Sequence, residues 1–305
     1  MIYKQYDFLS KSRFFFILSI VITIVGLVFL LTRGMNYGVD FRSGSNVDIT
    51  LSQSITPEQI QPVLEDVGIA EGASITPGNN RINIRFSEVL TEQQDLQLRA
   101  GIEKLDPQAT FEINTVDPEM AKELGRNAIY AVLLSSIGII IYVSIRFEWR
   151  FAIAAIVALL HDAFVVISVF SILNLEVSLT FIIAVLTIIG YSINDTIVIF
   201  DRIRENLRFA KIKRHSDLQE LVNKSLSQTL GRSIYTALSV FIAAFFMLLL
   251  GGESIRMFSL AICIGLAFGA YSSIFIASPL WLILKGRNVS NKPKAPKPNK
   301  DKIEI

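Results

Sequence analysis

Cysteine and histidine are nearly absent: the 305 residues hold one cysteine and two histidines. The single thiol, Cys263, excludes an intramolecular disulfide and a cysteine-ligated metal cluster. Its place inside an apolar run reads as an inert, buried side chain. Charge is scarce as well, at 18% of residues against roughly a quarter in soluble domains. There is no phosphate-cradling glycine loop, no zinc-ligand spacing and no serine–histidine nucleophile pattern. These absences argue against direct nucleotide use, a resident cofactor and an enzyme. A net charge of +2 points to no nucleic-acid partner, and the positions of the charges say more than their sum.

Apolar residues fill the gap, at 51% of the chain with a mean hydropathy of +0.49. Runs of about 20 apolar residues recur, each long enough to cross a hydrocarbon core of roughly 30 Å. They predict six spans, at 14–32, 126–145, 151–173, 178–200, 229–250 and 256–284. The first run follows Lys4, Lys11 and Arg13 like a signal-peptide start, but Thr32-Arg33-Gly34-Met35 offers no small-x-small cleavage site. It reads as a retained span.

Basic residues set the orientation. The tail 1–13, the 146–150 turn with Arg146 and Arg150, the 201–228 loop and the tail 285–305 carry the lysines and arginines. Asn174-Leu175-Glu176 carries none. Both termini are therefore expected in the cytoplasm of a bacterium, with the chain multi-pass in the inner membrane. The tail 285–305, with Lys292-Pro293-Lys294-Ala295-Pro296-Lys297-Pro298, is expected to be disordered. Its lysines suit anionic lipid or an acidic partner such as a ribosome.

Residues 33–125 then lie outside. Asn46–Leu51 alternates with period two, and Thr56 caps a helix that opens on Pro57 and stops at Gly68. A short strand near Ala73–Ile75, a turn at Pro77-Gly78-Asn79-Asn80 and the strand Arg81–Phe86 follow. A helix over 91–104 and a strand over 110–116 complete the order βαββαβ, a small α+β ferredoxin-like sandwich between the first two spans. The expected fold is thus a polytopic α-helical membrane protein of six transmembrane helices with one small extracytoplasmic domain.

Polar residues inside the spans carry the chemistry. Asp195 sits five residues, about 8 Å of helix, before Phe200, too deep for its side chain to reach water. A central aspartate costs roughly 2.5–3.5 kcal/mol on insertion scales. Ser192, Asp195, Thr196 and Ile199 follow i, i+3, i+4, i+7 spacing, which predicts one polar face turned into the bundle, with Asn194 as a further supporting group. Asp162 and His161 stand near mid-membrane in the third span and suggest proton handling. Adjacent helical residues point about 100° apart, so these two are not expected to face each other. Arg232 opens the fifth span on the same side as Asp195. An ionised Asp195 would hold it and a protonated one release it. The bland alternatives are structural hydrogen bonds for the aspartates and a headgroup anchor for Arg232.

Ala261, Gly265, Gly269, Ser273 and Ala277 form a small-residue stripe at every fourth position of the last span, a packing device. Gly190 is assigned the same purpose beside Asp195. Asp201–Phe209 reads as an amphipathic cytoplasmic helix at the interface.

The run Gly190-Tyr191-Ser192-Ile193-Asn194-Asp195-Thr196, continuing through Phe200-Asp201-Arg202-Ile203-Arg204-Glu205-Asn206, resembles the fourth-span signature of the SecF family of protein-export membrane proteins. Asn36-Tyr37-Gly38-Val39-Asp40-Phe41, His161-Asp162, Gly251-Gly252-Glu253-Ser254-Ile255 and Tyr271-Ser272-Ser273-Ile274-Phe275 fit the same family, so the resemblance covers the whole chain. One departure stands out: after Phe41 the family has a glycine pair, and here the run is Arg42-Ser43-Gly44-Ser45. The opening methionine and short tail resemble a separate SecF rather than the second half of a SecDF fusion.

The resemblance implies a bundle of the resistance-nodulation-division superfamily, paired with SecD beside the SecYEG translocon, with YajC a further candidate neighbour. It implies use of the proton gradient to move exported unfolded polypeptides on the outer face. Asp195 would be the proton-responsive carboxylate, Arg232 its partner and Asp162 a supporting group. The sequence leaves sodium open as the coupling ion. Two other readings fit the residues less well. An intramembrane aspartyl protease would need Asp162 and Asp195 to share one water, which their different depths oppose. A proton-coupled exporter of small hydrophobic molecules or lipids would need a larger outer substrate enclosure than about 90 residues provide.

Overall fold

The computed structural model describes residues 6–290 apart from Ser54 and Asn79. From residue 291 on, the basic tail lies outside the described residues. Six helices are long and apolar enough to cross a membrane: Leu9–Thr32, Pro118–Arg146, Trp149–Ile172, Leu179–Phe209, His215–Leu250 and Ile255–Gly286. They bracket a small α+β unit between the first two, so the predicted architecture is borne out.

The chain runs α1 (Ser12–Thr32), β1 (Asn36–Tyr37), α2 (Val39–Arg42), β2 (Gly44–Thr50), α3 (Pro57–Val67), β3 (Ala73–Gly78), β4 (Arg81–Phe86), α4 (Glu92–Leu105) and β5 (Thr110–Val116). It continues with α5 (Pro118–Arg146), α6 (Trp149–Ile172), β6 (Glu176–Val177), α7 (Leu179–Phe209), α8 (His215–Leu250), α9 (Glu253–Ser272) and α10 (Ser278–Ser290).

In the domain between the first two spans, named the outer domain after its expected side, the sheet order is β3-β4-β2-β5, antiparallel throughout, the split βαβ arrangement. Local chemistry sets its helices. Pro57 opens α3 behind Thr56, whose N–H donates to Gln59 Oε1 at 2.9 Å. Gly68 ends that helix at φ +75°. Thr91 caps α4 by accepting from the Gln94 N–H. Val47, Ile49, Ile60, Leu64, Ile82, Ile84, Leu98 and Ile102 are fully buried between the sheet and the two helices. Each contributes about 1.5–3 kcal/mol. The alternation that turns Ile82 and Ile84 inward turns Arg81, Asn83 and Arg85 to the other face.

That polar face meets the outer ends of the spans. Arg85 pairs with Glu176 of β6 at 2.6 Å, and a cavity of ≈ 270 Å³ is bounded by Asp48, Arg81 and Glu112 of the sheet and by Gly252 and Ile255.

Within the bundle, α6, α7 and α9 form the centre; α9 packs on α7, α8 and α6, while α1 lies on α6. Helices α1, α5 and α8 present exposed apolar rows such as Leu27, Leu134 and Phe246. Several boundaries differ from expectation: β3 runs on through Pro77 and Gly78, expected as a turn, and α10 continues to Ser290, into the tail expected to be disordered from residue 285. Helix α5 starts at Pro118, eight residues before the predicted span, because Asp117 accepts from the Met120 N–H at 2.8 Å and Pro118 follows at the first helical position. The segment 201–228, expected as a loop with a short interfacial helix, is mostly helical: α7 continues to Phe209 and α8 begins at His215. Its apolar residues Ile203, Leu218, Leu221 and Val222 are buried against each other's helices rather than laid on lipid. Asn206 donates to Ser225 Oγ at 2.8 Å and Gln228 Oε1 at 2.9 Å across the pair.

Candidate functional site

The small-residue stripe makes the site possible. A Cβ on Gly265 would overlap Ile188, and one on Gly269 would lie 3.5 Å from Ser192 Cβ and 3.8 Å from Asp162 Oδ2. Ala261 and Ala277 are fully buried, and Ser273 Oγ lies 2.8 Å from Thr196 Oγ1. Helix α9 therefore approaches α7 closely enough for short side chains to bond across the gap. After Ser272 the helix widens into a π turn, Ser273–Ala277. Pro279 has no N–H to give, and Ser278 Oγ donates to the Ser273 carbonyl at 2.9 Å. Gly190 makes no such contact within this chain. It is exposed and a Cβ there would meet nothing within 4 Å, so it turns away from the neighbouring helices.

Asp162 is completely enclosed, 1% exposed, at the junction of α6, α7 and α9. Its Oδ2 accepts from Ser192 Oγ at 2.5 Å and Ser272 Oγ at 2.6 Å. Its Oδ1 lies 3.2 Å from Nδ1 of His161. The two neighbours do touch, contrary to the helical-wheel expectation, because side-chain rotamers add reach that Cβ directions alone do not show. Nε2 of His161 is buried without a hydrogen-bond partner among the described residues. Its ring lies 6.2 Å from that of Tyr271. The Tyr271 hydroxyl donates to the Phe15 carbonyl at 2.7 Å and sits 2.8 Å from Ser19 Oγ.

Asp195 occupies a different flank of α7. Ser192, Thr196 and Ile199 are buried, whereas Asp195 is half-buried at the edge toward α8. The expected single polar face therefore divides between two neighbours. Asp195 Oδ2 and Ser233 Oγ are neighbours, both buried and neither within hydrogen-bonding geometry of a partner among the described residues. They line one cavity of ≈ 20 Å³ with Asn194 and Thr236, room for about one water molecule. Arg232 precedes Ser233 on α8 and is exposed. It forms no ion pair with Asp195 within 4 Å among the described residues. Asn194 is exposed on the outside of the bundle. Asp162 does not line the Asp195 cavity.

Ser272, Ser233, Tyr271 and Ser19 are the members that sequence reasoning missed. Tyr271-Ser272-Ser273 stood in a recognised motif, but which helix it faces depends on the packing of α9. The Asn36–Phe41 motif also finds its place. Strand β1 pairs in parallel with β6, and Asp40 Oδ2 accepts from the Leu179 N–H at 2.7 Å. This motif thus caps the outer end of α7. Ser43 has φ +68° and ψ 166°, and Gly44 has φ +125°, with Phe86 O where its Cβ would be.

Comparison with known proteins gives two family matches. Residues 98–287 match "Protein export membrane protein SecD/SecF, C-terminal", and residues 28–55 match the "SecD/SecF GG Motif". The chain is 44% identical to the protein translocase subunit SecF of Alicyclobacillus acidocaldarius, over 96% of this chain and 97% of that protein. It is also 44% identical to the protein translocase subunit SecDF of Bacillus subtilis, over 94% of this chain and 39% of that one. The crystal structure of SecDF from Thermus thermophilus, a translocon-associated membrane protein, superposes with a TM-score of 0.82 at 34% identity. That match covers 93% of this chain and 39% of the other. The chain thus spans about two-fifths of these SecDF proteins.

Proposed function

The chain belongs to the SecD/SecF family of protein export membrane proteins, and from that premise we propose that it is an accessory subunit of the Sec translocase that couples the proton gradient to polypeptide export. The carrying observation is Asp195: a half-buried carboxylate inside a span, its Oδ2 unpaired beside a water-sized cavity and Ser233. A carboxylate so placed is expensive when ionised and without a partner. It gains a partner either by taking a proton or by drawing Arg232 inward. Protonation therefore selects between two side-chain arrangements at the α7–α8 contact, and the cavity has room for about one water beside the carboxylate. Asp162 supports this from behind: with both oxygens engaged by His161, Ser192 and Ser272, it fixes α6 and α9 against α7. No bond chemistry is assigned to the pair, since the carboxylates do not share a cavity.

SecD is the proposed partner. Polar Asn194 and Thr236 and charged Arg232 are exposed on the outside of α7 and α8, where bare contact with lipid tails is unfavourable. A second helical bundle laid over this side would enclose them and complete the Asp195 site. The fused relatives accord with such a neighbour. The SecYEG channel and an unfolded polypeptide on the outer face complete the proposed setting, in a bacterial inner membrane with both termini cytoplasmic.

The test is proton movement by this subunit reconstituted with SecD in liposomes carrying an internal pH dye. Proton entry that depends on a translocating polypeptide should be present in the wild type and absent in Asp195→Asn. Equal entry in both would overturn the reading. The alternative, proton-coupled export of small hydrophobic molecules or lipids, has one observation in its favour. An apolar cavity of ≈ 500 Å³ lies between α5 and α7, lined by Phe41, Val132, Phe181 and Val185. Gradient-driven release of a fluorescent hydrophobe from the same liposomes would support it.

A further inference from the structure

The outer domain is joined to the bundle by its two chain connections, at α2–β2 and β5–α5, and, among the described residues, by a tie through Arg85 that the sequence did not disclose. Arg85 projects from the polar face of β4, a central strand of the sheet. Its Nη2 lies 2.6 Å from Glu176 Oε2, with the two side chains 24% and 20% exposed. Its Nη1 reaches Asn36 Oδ1 at 3.4 Å. The Glu176 carboxylate rests over Gly38, where any Cβ would overlap it. Glu176 lies on β6, in the short turn joining α6 to α7, and that turn is held on its other side by β1 and by Asp40 capping Leu179. A single turn thus connects the helix carrying Asp162, the helix carrying Asp195 and the outer sheet.

We propose that Arg85 and Glu176 are positioning residues of the coupling reaction, forming a strut that transmits a displacement of α7 to the outer domain. Helix α7 runs unbroken from Leu179 to Asp195, a rise of about 24 Å. An unbroken helix moves as a rod, so a shift at Asp195 reaches its outer end undiminished. There the capping carboxylate of Asp40 and the β1–β6 pairing carry the shift into the turn, and Glu176 passes it to Arg85 and the sheet. Gly38 is the element that lets the carboxylate lie close enough to serve. This inference rests on the proton-coupled reading of Asp195.

The experiment uses the full chain with its SecD partner in inverted membrane vesicles. Export is measured with and without an imposed proton gradient. Arg85→Glu and Glu176→Arg should each lower the gradient-dependent stimulation by about fivefold or more while leaving gradient-independent export and SecD binding intact. The double exchange should restore it. A second construction guards against a merely misfolded domain. Arg85→Cys with Glu176→Cys should lose the stimulation, regain it when a bis(methanethiosulfonate) reagent bridges the two sulfurs through disulfides with loss of sulfinate, and lose it again on reduction. Wild-type stimulation in the single variants, or failure of both the exchange and the bridge to restore it, overturns the proposal. Asp195→Asn in the same vesicles separates the two claims. If it abolishes stimulation while Arg85→Glu does not, only the strut fails. If it leaves stimulation intact, the underlying reading fails.

Discussion

At the scale of single residues, backbone conformation accounts for a motif that the side chains do not. Ser43 holds φ +68° and ψ 166°, a region populated almost only by glycine and costing about 1–3 kcal/mol for other residues. The family resemblance has a glycine pair in this loop, and a backbone of this kind is one that glycine relieves. Ser43→Gly is expected to raise the stability of the outer domain by about 1–2 kcal/mol, read as a later thermal transition of the purified chain. Gly44→Ala should prevent the domain from closing, because Phe86 O stands where the methyl would go. Asp106 gives a pH dependence at the same scale. Hydrogen bonds from the Ser52 hydroxyl and N–H hold its carboxyl below the usual carboxylate range. A folded-state value below the unfolded one means the contribution is complete above the unfolded value and is lost as pH falls through the folded one. Amide exchange in α4 and β5 should accordingly quicken at acid pH in the wild type. In Asp106→Asn it should already be quick at neutral pH and change less on acidification.

Elements show which patterns decide structure before packing is known. Period-two alternation over Arg81–Phe86 and the caps at Thr56 and Thr91 are local signals, and they placed the outer strands and helices because each depends on its own neighbours in sequence. The small-residue stripe of α9 was equally legible. Gly190 was not, since a glycine is small on whichever side it faces and only the packing of α7 shows that this one faces outward. The same limit applies to Asp195. Spacing placed it with Ser192 and Thr196, but the position of α8 draws it to another flank. The helical hairpin of α7 and α8 beyond the membrane was obscured by its lysines and arginines, whose density hid the buried Ile203, Leu218 and Val222. Gly265 offers the test at this scale. Gly265→Leu drives a side chain into Ile188 and should separate α7 from α9, at a cost of about 1–3 kcal/mol or more. Melting of the purified chain would report the loss, and cysteine cross-linking between α7 and α9 should fall with it. Unchanged melting and cross-linking would show that the close approach is not required.

For the whole molecule, the ties between the domain and the bundle are what sequence could not supply. Arg85 and Glu176 are distant in the chain from each other and from the Asn36–Asp40 segment, and no periodicity links them. They meet because the sheet turns its polar face toward the ends of the spans and the α6–α7 turn rises to meet it. Fold class, by contrast, was legible from hydropathy and loop charge, since a helix that must satisfy its own backbone groups in lipid leaves few alternatives. The resulting picture has a protonatable site on one flank of α7, a rigid support of α6 and α9 behind it, and a sheet attached to the outer end of the same helix. Its central claim is that the charge state of Asp195 is the input. The most direct measurement is the rate of export into inverted vesicles carrying Asp195→Asn with SecD, with and without a proton gradient. The account predicts export at the no-gradient rate in both conditions, with insertion and SecD binding unimpaired. Gradient stimulation equal to the wild type would contradict it and leave Asp195 a structural hydrogen-bonding group.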